Sequence, residues 1–131
     1  MIRIYGASKL DKVPLWTRLR LEWEAVHFVM RWPWEHVGVI EDTPQEARKF
    51  WVEDLEDVMK AQLVMVYGEP QDKLRGALVE AGMAIATGRK VLVVGEHPDY
   101  GTWQYHPSVY QACNLDAAYG LLRNVIQYEV T

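Results

Sequence analysis

The sequence predicts an α/β fold, in which a doubly wound parallel sheet of about five strands carries helices on both faces. Segments of strand character alternate with amphipathic helical segments along the whole chain. Two strand segments, residues 63–67 and 91–94, are continuous apolar runs, which is typical of strands buried on both faces of a parallel sheet. Right-handed crossovers between such strands place helices on both sides of the sheet.

The first third of the chain predicts two strands around one helix. Residues 2–5 alternate in polarity and form the first strand, which ends at the loop 6–8. Pro14 is suited to be the first residue of the helix. The second strand is expected at residues 27–30, and Pro33 stops it. The apolar face of the helix consists of Trp16, Leu19, Trp23 and Val26.

The next helix has the clearest start signal in the chain. Thr43 is suited to cap it, Pro44 takes the first helical position and Glu46 completes a capping box. This helix is expected to run to about Ala61 and to lead into the strand 63–67. Asp72 follows as the expected cap of a third helix. The apolar stripe of that third helix consists of Leu74, Ala77, Leu78, Ala81, Gly82 and Ile85.

The remaining elements follow the same alternation. They are a helix end at Gly88, a strand at 91–94, a loop over 95–108, a short extended segment at 109–110 and a last helix over about 115–128. In such sheets the ligand crevice lies beyond the carboxyl ends of the strands, at the switch point of the strand order. The loops after Tyr5, Tyr67 and Val94 are therefore the places where a site is expected.

Composition limits the classes of function. The 131 residues suit one domain, and a net charge of −4 argues against a general nucleic-acid binder, although a small nucleotide needs only a local group of donors. The single cysteine excludes a disulfide framework and favours a reducing compartment. Since neither a signal peptide nor a membrane-spanning run is recognisable, a cytoplasmic location is expected.

Asp54 interrupts the apolar face of the helix that follows Thr43. At 100° per residue, Asp54 points within about 20° of the direction of Ala47, where that face begins. A charge buried there must be paired, hydrogen-bonded or directed into a cleft. The pattern is equally compatible with a functional site and with a structural carboxylate that ties down a loop or pairs with an arginine. The face consists of Ala47, Phe50, Trp51, Val58 and Ala61.

Three further positions attract attention around the expected crevice. Glu80 lies well round its helix from the apolar stripe, so the pattern alone predicts a solvated side chain. Gly76, one turn earlier, leaves room for a small molecule to approach the helix. Tyr5 ends the first strand, and Gly6 permits close approach to the backbone there. The lone His106 has no second ligand at metal-binding spacing, so neither a metal nor a cofactor is expected.

Three stretches match one family pattern in the right order. Residues 2–7 look like an opening strand with a glycine-containing loop, and residues 54–58 look like an Asp-bearing helix before a central strand. Residues 75–84 look like a glycine-x-x-x-glutamate helix before the next strand. Together these stretches resemble the nucleoside 2-deoxyribosyltransferase-like family, which includes nucleoside 5′-monophosphate N-glycosidases, over most of the chain.

The resemblance implies a single flavodoxin-like domain over residues 1–131 that acts on the N-glycosidic bond of a 2′-deoxynucleoside or its 5′-monophosphate. By motif match, Glu80 is the nucleophile that attacks the anomeric carbon and forms a covalent glycosyl-enzyme. Asp54 stands near the leaving base, where it helps protonation or holds the nucleotide, and Tyr5 orients Glu80. The implied substrate contacts are Gly6, Ala7, Gly76 and Arg75.

One departure from the family pattern leaves the reaction open. Leu74 stands where the transferases have an aspartate and the monophosphate hydrolases have a serine, so contact with the 5′-end falls to Arg75 or to a neighbouring subunit. The resemblance implies a homo-oligomer, a dimer or larger. Transfer to a free nucleobase and hydrolysis both remain compatible with the sequence. So do an inactive relative that binds a nucleotide and an interaction module whose loop tryptophans contact another protein.

Overall fold

A computed structural model describes residues 1–36 and 43–130, which form one five-stranded sheet. The strands are β1 (Ile2–Ala7), β2 (Val26–Phe28), β3 (Leu63–Tyr67), β4 (Lys90–Val94) and β5 (Val109–Ala112). Their order in the sheet is β2-β1-β3-β4-β5, and every neighbouring pair is parallel. This is the order of the flavodoxin-like doubly wound fold, so the predicted α/β class is confirmed.

Helices cover both faces of the sheet. They are α1 (Val13–Glu22), α2 (Trp32–Glu35), α3 (Pro44–Lys60), α4 (Arg75–Ala86), α5 (Leu115–Leu121) and α6 (Gln127–Val130). The rings of Trp23, after α1, and Tyr119, in α5, lie 5.0 Å apart, so α1 and α5 share one face. Helices α3 and α4 contact each other, and right-handed crossovers place them on the opposite face. No helix among the described residues is long and apolar enough to cross a membrane.

The central strands form the core, as their apolar composition predicts. Residues 63–66 of β3 are fully buried, and β4 is buried from Val91 to Val94. Each such side chain contributes about 1.5–3 kcal/mol relative to an exposed one. Helices on both faces exclude water from these two strands, and the loops at their carboxyl ends are therefore held on a rigid base.

The helix caps agree with the sequence at α3 and differ at α4. Thr43 Oγ1 accepts a hydrogen bond from the Glu46 N–H at 3.2 Å, so this predicted cap is confirmed. The prediction that Asp72 caps the following helix is wrong, because α4 begins only at Arg75. Asp72 instead accepts a hydrogen bond from the Glu69 N–H and pairs with Lys12 at 3.3 Å. It closes the loop between β3 and α4.

Two boundaries near the amino terminus move because neighbouring strands add pairing partners. β1 continues through Gly6 and Ala7, which pair with Met65 and Val66 of β3, where the sequence predicts a loop. Val26, predicted on a helix face, belongs to β2 and pairs with Ile2. At the carboxyl terminus a π-helical segment, Leu122–Ile126, joins α5 to α6, so the predicted last helix is continuous but irregular.

Candidate active site

A cleft of about 320 Å³ lies beyond the carboxyl ends of β1 and β3. These two strands adjoin the point where the strand order reverses, which is where the fold predicts a ligand crevice. Segments after β1, in α3 and at the start of α4 form its walls. The described residues that line it are Ser8, Lys9, Leu10, Trp32, Trp51, Asp54, Lys73, Leu74, Arg75, Gly76, Ala77 and Glu80.

Glu80 is buried in this cleft, with 6% of its surface exposed, so the solvated side chain predicted from the helix pattern is wrong. The buried face of α4 is rotated from the predicted stripe, and Leu78 and Ile85 are only partly buried. Small side chains on the buried face let α4 lie close to the sheet, which brings Glu80 to β1. The residues that α4 buries are Ala77, Glu80, Ala81 and Ala84.

Tyr5 and Glu80 are joined directly. The Tyr5 hydroxyl donates a hydrogen bond to Glu80 Oε2, and the Tyr5 side chain is fully buried in β1. Burial raises the pKa of the Tyr5 phenol well above its ordinary value, and the negative charges of Glu80 and Asp54 raise it further. Tyr5 therefore keeps its proton at neutral pH and is the hydrogen-bond donor to the Glu80 carboxyl group.

Asp54 lines the cleft from α3, opposite the wall formed by α4. Its place in the lining agrees with one of the arrangements that the sequence leaves open, a carboxylate at a cleft. Trp51, one turn earlier on α3, lines the cleft beside it. The ring edge of Trp51 also bounds the space next to Gly76, because an added Cβ there would lie 3.5 Å from the indole Cη2. A methyl group at position 76 would therefore make ordinary van der Waals contact with Trp51, and Gly76 leaves this space in the cleft open.

The rim of the cleft carries several cations. Arg75 is the first residue of α4, and Lys73 precedes it in the connecting loop. Lys9 faces them from the segment after β1, where its ammonium lies 3.4 Å from Asp11. All three side chains are exposed, and the first turn of α4 adds the positive end of a helix dipole. This side of the cleft is electropositive, whereas Asp54 and Glu80 make its interior acidic.

Gly6 and Ala7, predicted to contact the substrate, are buried in β1 and do not contribute to the described lining of the cleft. A Cβ at Gly6 would lie 2.6 Å from Trp16 and 2.7 Å from Met30, so side-chain packing explains the glycine. The Gly6 carbonyl accepts a hydrogen bond from Trp32 Nε1 at 3.0 Å. Gly6 therefore helps to fix Trp32, which is a wall of the cleft.

An anchor that the sequence reading missed lies behind the cleft. Asp57 is fully buried and accepts hydrogen bonds from the Arg31 backbone N–H at 2.9 Å and from Arg31 Nε at 3.0 Å. This pair ties the segment before Trp32 to α3. A signal was present, because Asp57 follows Phe50 by seven residues and so shares its helix face. Asp57, one turn after Asp54, thus forms an ion pair with an arginine.

The third loop singled out by the sequence, after β4, lines a different cavity. This cavity has a volume of about 460 Å³ and lies between the loop and the carboxyl end of β5. The described side chains that line it include His97, Tyr105 and Cys113. The loops after β1 and β3 line the cleft itself, so two of the three predicted loops meet there.

Comparisons with known proteins find a likeness in fold. No protein-family model matches the chain, and no curated protein matches it in sequence. Among solved structures, the CMP N-glycosidase BcmB of Clostridium botulinum superimposes with a TM-score of 0.57, covering 95% of this chain and 99% of that one. The two sequences are 16% identical, so the comparison shows a shared α/β fold.

Proposed function

We propose that this protein is an enzyme that cleaves the N-glycosidic bond of a 2′-deoxynucleoside or its 5′-monophosphate, with Glu80 as the nucleophile. The observation that carries the proposal is the buried Glu80 carboxylate, hydrogen-bonded to Tyr5 in a cleft that Asp54 also lines. Burying a carboxylate is costly unless it is well hydrogen-bonded, and two carboxylates at one cleft suit glycosidic chemistry. The structural neighbour's name, a CMP N-glycosidase, supports the same reaction class.

The reaction has two steps in this proposal. A Glu80 oxygen attacks C1′ of the sugar, the C1′–N bond breaks, and the base leaves with a proton supplied by Asp54. Water then attacks C1′ of the glycosyl ester, which releases the sugar and restores the Glu80 carboxylate, while Asp54 takes up a proton. If a second nucleobase takes the place of water, the same intermediate gives a new nucleoside. Tyr5 orients Glu80 in both steps.

The cationic rim favours a 5′-monophosphate as the substrate. Lys9, Lys73 and Arg75 line one side of the cleft, and a phosphate there would also meet the amino-terminal end of α4. Arg75 thus supplies the 5′-end contact that the residue type at position 74 does not. A deoxynucleoside without the phosphate lacks these charge interactions, so its KM is expected to be higher.

The proposed assembly is a homo-oligomer formed through α3 and α4. Val52, Leu55 and Met59 lie on the outward side of α3 and are 53%, 43% and 46% exposed, and Val79 of the neighbouring α4 is 50% exposed. A face of two helices, about 25 Å long and about 20 Å wide, buries about 1,000 Å² in total between two copies. That area is the lower limit for a specific interface. The face adjoins Trp51 and Asp54, so a second copy would border the cleft.

Substitution of Glu80 tests the proposed reaction. The purified protein is incubated with deoxynucleosides and their monophosphates, with and without a free acceptor base, and the products are separated by chromatography. Base release without exchange indicates a hydrolase, and a new nucleoside indicates a transferase. Glu80→Gln and Glu80→Ala are expected to lower turnover by about 10³-fold or more, because both remove the attacking carboxylate.

The controls separate loss of chemistry from loss of fold. Glu22→Gln removes an exposed carboxylate of α1, which lies on the other face of the sheet, and is expected to leave turnover unchanged. A 2′-fluoro-arabinosyl nucleotide slows the second step, so intact-mass measurement should detect a sugar adduct on the wild type and none on Glu80→Ala. An active Glu80→Ala protein would refute the assignment. Nucleotide binding without base release would favour the inactive relative instead.

A further inference from the structure

We propose that Asp99, in the loop after β4, is a positioning residue for the reaction. It holds the start of α4 in place and thereby fixes the position of Glu80 on the same helix. Its catalytic consequence rests on the proposed function. The helix contact itself is independent of that function and can be measured separately. Asp99 does not contribute to the described lining of the cleft, so its effect must pass through α4.

Helix α4 takes its capping group from a distant part of the chain. Its N-cap is Leu74, which offers no side-chain hydrogen bond. The Leu74 N–H donates a hydrogen bond to Asp99 Oδ2 at 2.9 Å, across 25 residues of sequence. The first N–H groups of a helix have no partner within the helix, and a carboxylate there also interacts favourably with the helix dipole. Asp99 therefore accepts the bond from the N–H of the N-cap residue, a donor that the N3 side chain of a capping box satisfies in other helices.

Asp99 is itself held in place. Its backbone N–H donates to His97 Nδ1 at 2.9 Å, and His97 is buried. The Tyr100 hydroxyl donates to the Val94 carbonyl at 3.0 Å and to the Val66 carbonyl at 3.3 Å. The loop is thereby fastened to the carboxyl ends of β3 and β4. Because this loop is attached to the sheet, the Asp99 carboxylate can fix the position of α4 relative to the sheet.

The packing around Gly68 shows that the same three elements meet closely. A Cβ at Gly68, just after β3, would lie 2.8 Å from Leu74 Cδ1 and 3.0 Å from His97 Cδ2. The start of α4 and the loop after β4 therefore pack against the end of β3. A side chain at position 68 would collide with Leu74 and His97 unless they moved. The contact between Asp99 and Leu74 belongs to a packed junction.

This junction controls the geometry of the cleft. Leu74, Arg75 and Gly76 all line the cleft, and Glu80 follows Leu74 by about 9 Å along the helix axis. If the Asp99 contact is lost, the first turn of α4 is free to shift relative to β1, which carries Tyr5. A displacement of about 1 Å at a reacting group costs up to about 100-fold in rate. Both substrate binding at Arg75 and the orientation of Glu80 depend on this turn.

Two substitutions of Asp99 test the proposal by amide hydrogen exchange and by kinetics. In Asp99→Ala the Leu74 amide is expected to exchange faster, and kcat/KM is expected to fall about tenfold. Asp99→Asn keeps an oxygen that can accept the same hydrogen bond, so it is expected to retain most of the protection and most of the activity. This rescue by the conservative variant would not be seen if Asp99 acted through its charge alone.

Asn114→Ala is the matched control. Asn114 Oδ1 accepts a hydrogen bond from the Ala117 N–H at 2.8 Å and so caps α5, which does not line the cleft in the described residues. Losing this cap is expected to lower Tm to a similar extent as Asp99→Ala but to leave kcat/KM unchanged.

The outcomes separate the proposal from the function on which it rests. Unchanged exchange at Leu74 in Asp99→Ala would refute the contact, and faster exchange with unchanged kcat/KM would refute the positioning role. An equal loss of activity in Asn114→Ala would assign the effect to general destabilisation and would also refute it. A wild type that releases no base from any substrate would refute the proposed function, while the exchange data would still decide the contact.

Discussion

The buried pair of Tyr5 and Glu80 is the feature that links sequence to chemistry at the scale of single residues. The phenol keeps its proton because burial and the nearby carboxylates raise its pKa. A hydrogen bond donated to a carboxylate stabilises its charged form and restricts its rotation. The pair therefore holds a Glu80 oxygen in a defined position at the cleft, as the proposed nucleophile requires.

Tyr5→Phe is expected to lower kcat about 10- to 100-fold, because a hydrogen bond to a charged group contributes about 1.5–3 kcal/mol. KM should change little, since the phenyl ring keeps the packing of β1. Steady-state kinetics on the preferred nucleotide measures both constants. Tyr119→Phe is the control, since it removes a hydroxyl that donates to the Glu24 carbonyl away from the cleft. Equal kcat values for Tyr5→Phe and the wild type would rule out the orienting role.

At the scale of elements, α3 carries two carboxylates with different surroundings. Asp54 lines the cleft, whereas Asp57, three residues later, is fully buried against Arg31. The Arg31 contact holds the start of α2, and with it Trp32, against α3. One helix therefore supplies a group to the site and anchors a segment that forms its wall.

Asp57→Ala is expected to lower the free energy of unfolding by about 3 kcal/mol, because breaking a buried ion pair leaves Arg31 without its main partner. The figure lies at the lower end of the usual range because 27% of the Arg31 side chain is exposed. Chemical denaturation measures the change. Glu56→Ala removes the exposed partner of the same arginine and should cost less than about 1 kcal/mol. Equal losses in both variants would contradict the anchor.

At the scale of the whole molecule, the neighbouring helices α3 and α4 both expose apolar side chains to solvent. Beyond its first residue, Arg75, the outward side of α4 is uncharged and consists of Val79, Gly82, Met83 and Ala86. Val52, Leu55 and Met59 extend this apolar surface onto α3. Exposed apolar side chains on two neighbouring helices next to a cleft support the proposed interface between subunits.

The proposed assembly predicts that the wild type sediments as a dimer or larger at micromolar concentration and that Leu55→Glu and Val79→Glu dissociate it. A charge introduced at the centre of an apolar interface is desolvated without a partner, which weakens association by several kcal/mol. Leu21→Glu is the matched control, because Leu21 is 81% exposed on α1, on the other face of the sheet. A monomeric wild type would exclude the interface.

The sequence by itself determined the α/β class, the strand segments β3 and β4, the cap at Thr43 and the direction of Asp54. These depend on the pattern within one element, since apolar periodicity records which side of a helix or strand avoids water. The family resemblance singled out Glu80, although the helix pattern of α4 predicted a solvated side chain. The sequence did not predict that α4 buries the side that carries its alanines, because this depends on how closely the helix approaches the sheet.

Only the tertiary structure decided which distant groups meet. Tyr5 and Glu80 are 75 residues apart, Arg31 and Asp57 are 26 apart, and Leu74 and Asp99 are 25 apart. The sequence predicted that a ligand could approach the backbone at Gly6, but the side chains of Trp16 and Met30 occupy the space beside it. Periodicity describes one element at a time, whereas these contacts arise where the sheet order brings the carboxyl ends of non-consecutive strands together. The sequence therefore singled out Asp54, but the structure was needed to show that Asp54 and Glu80 line the same cleft.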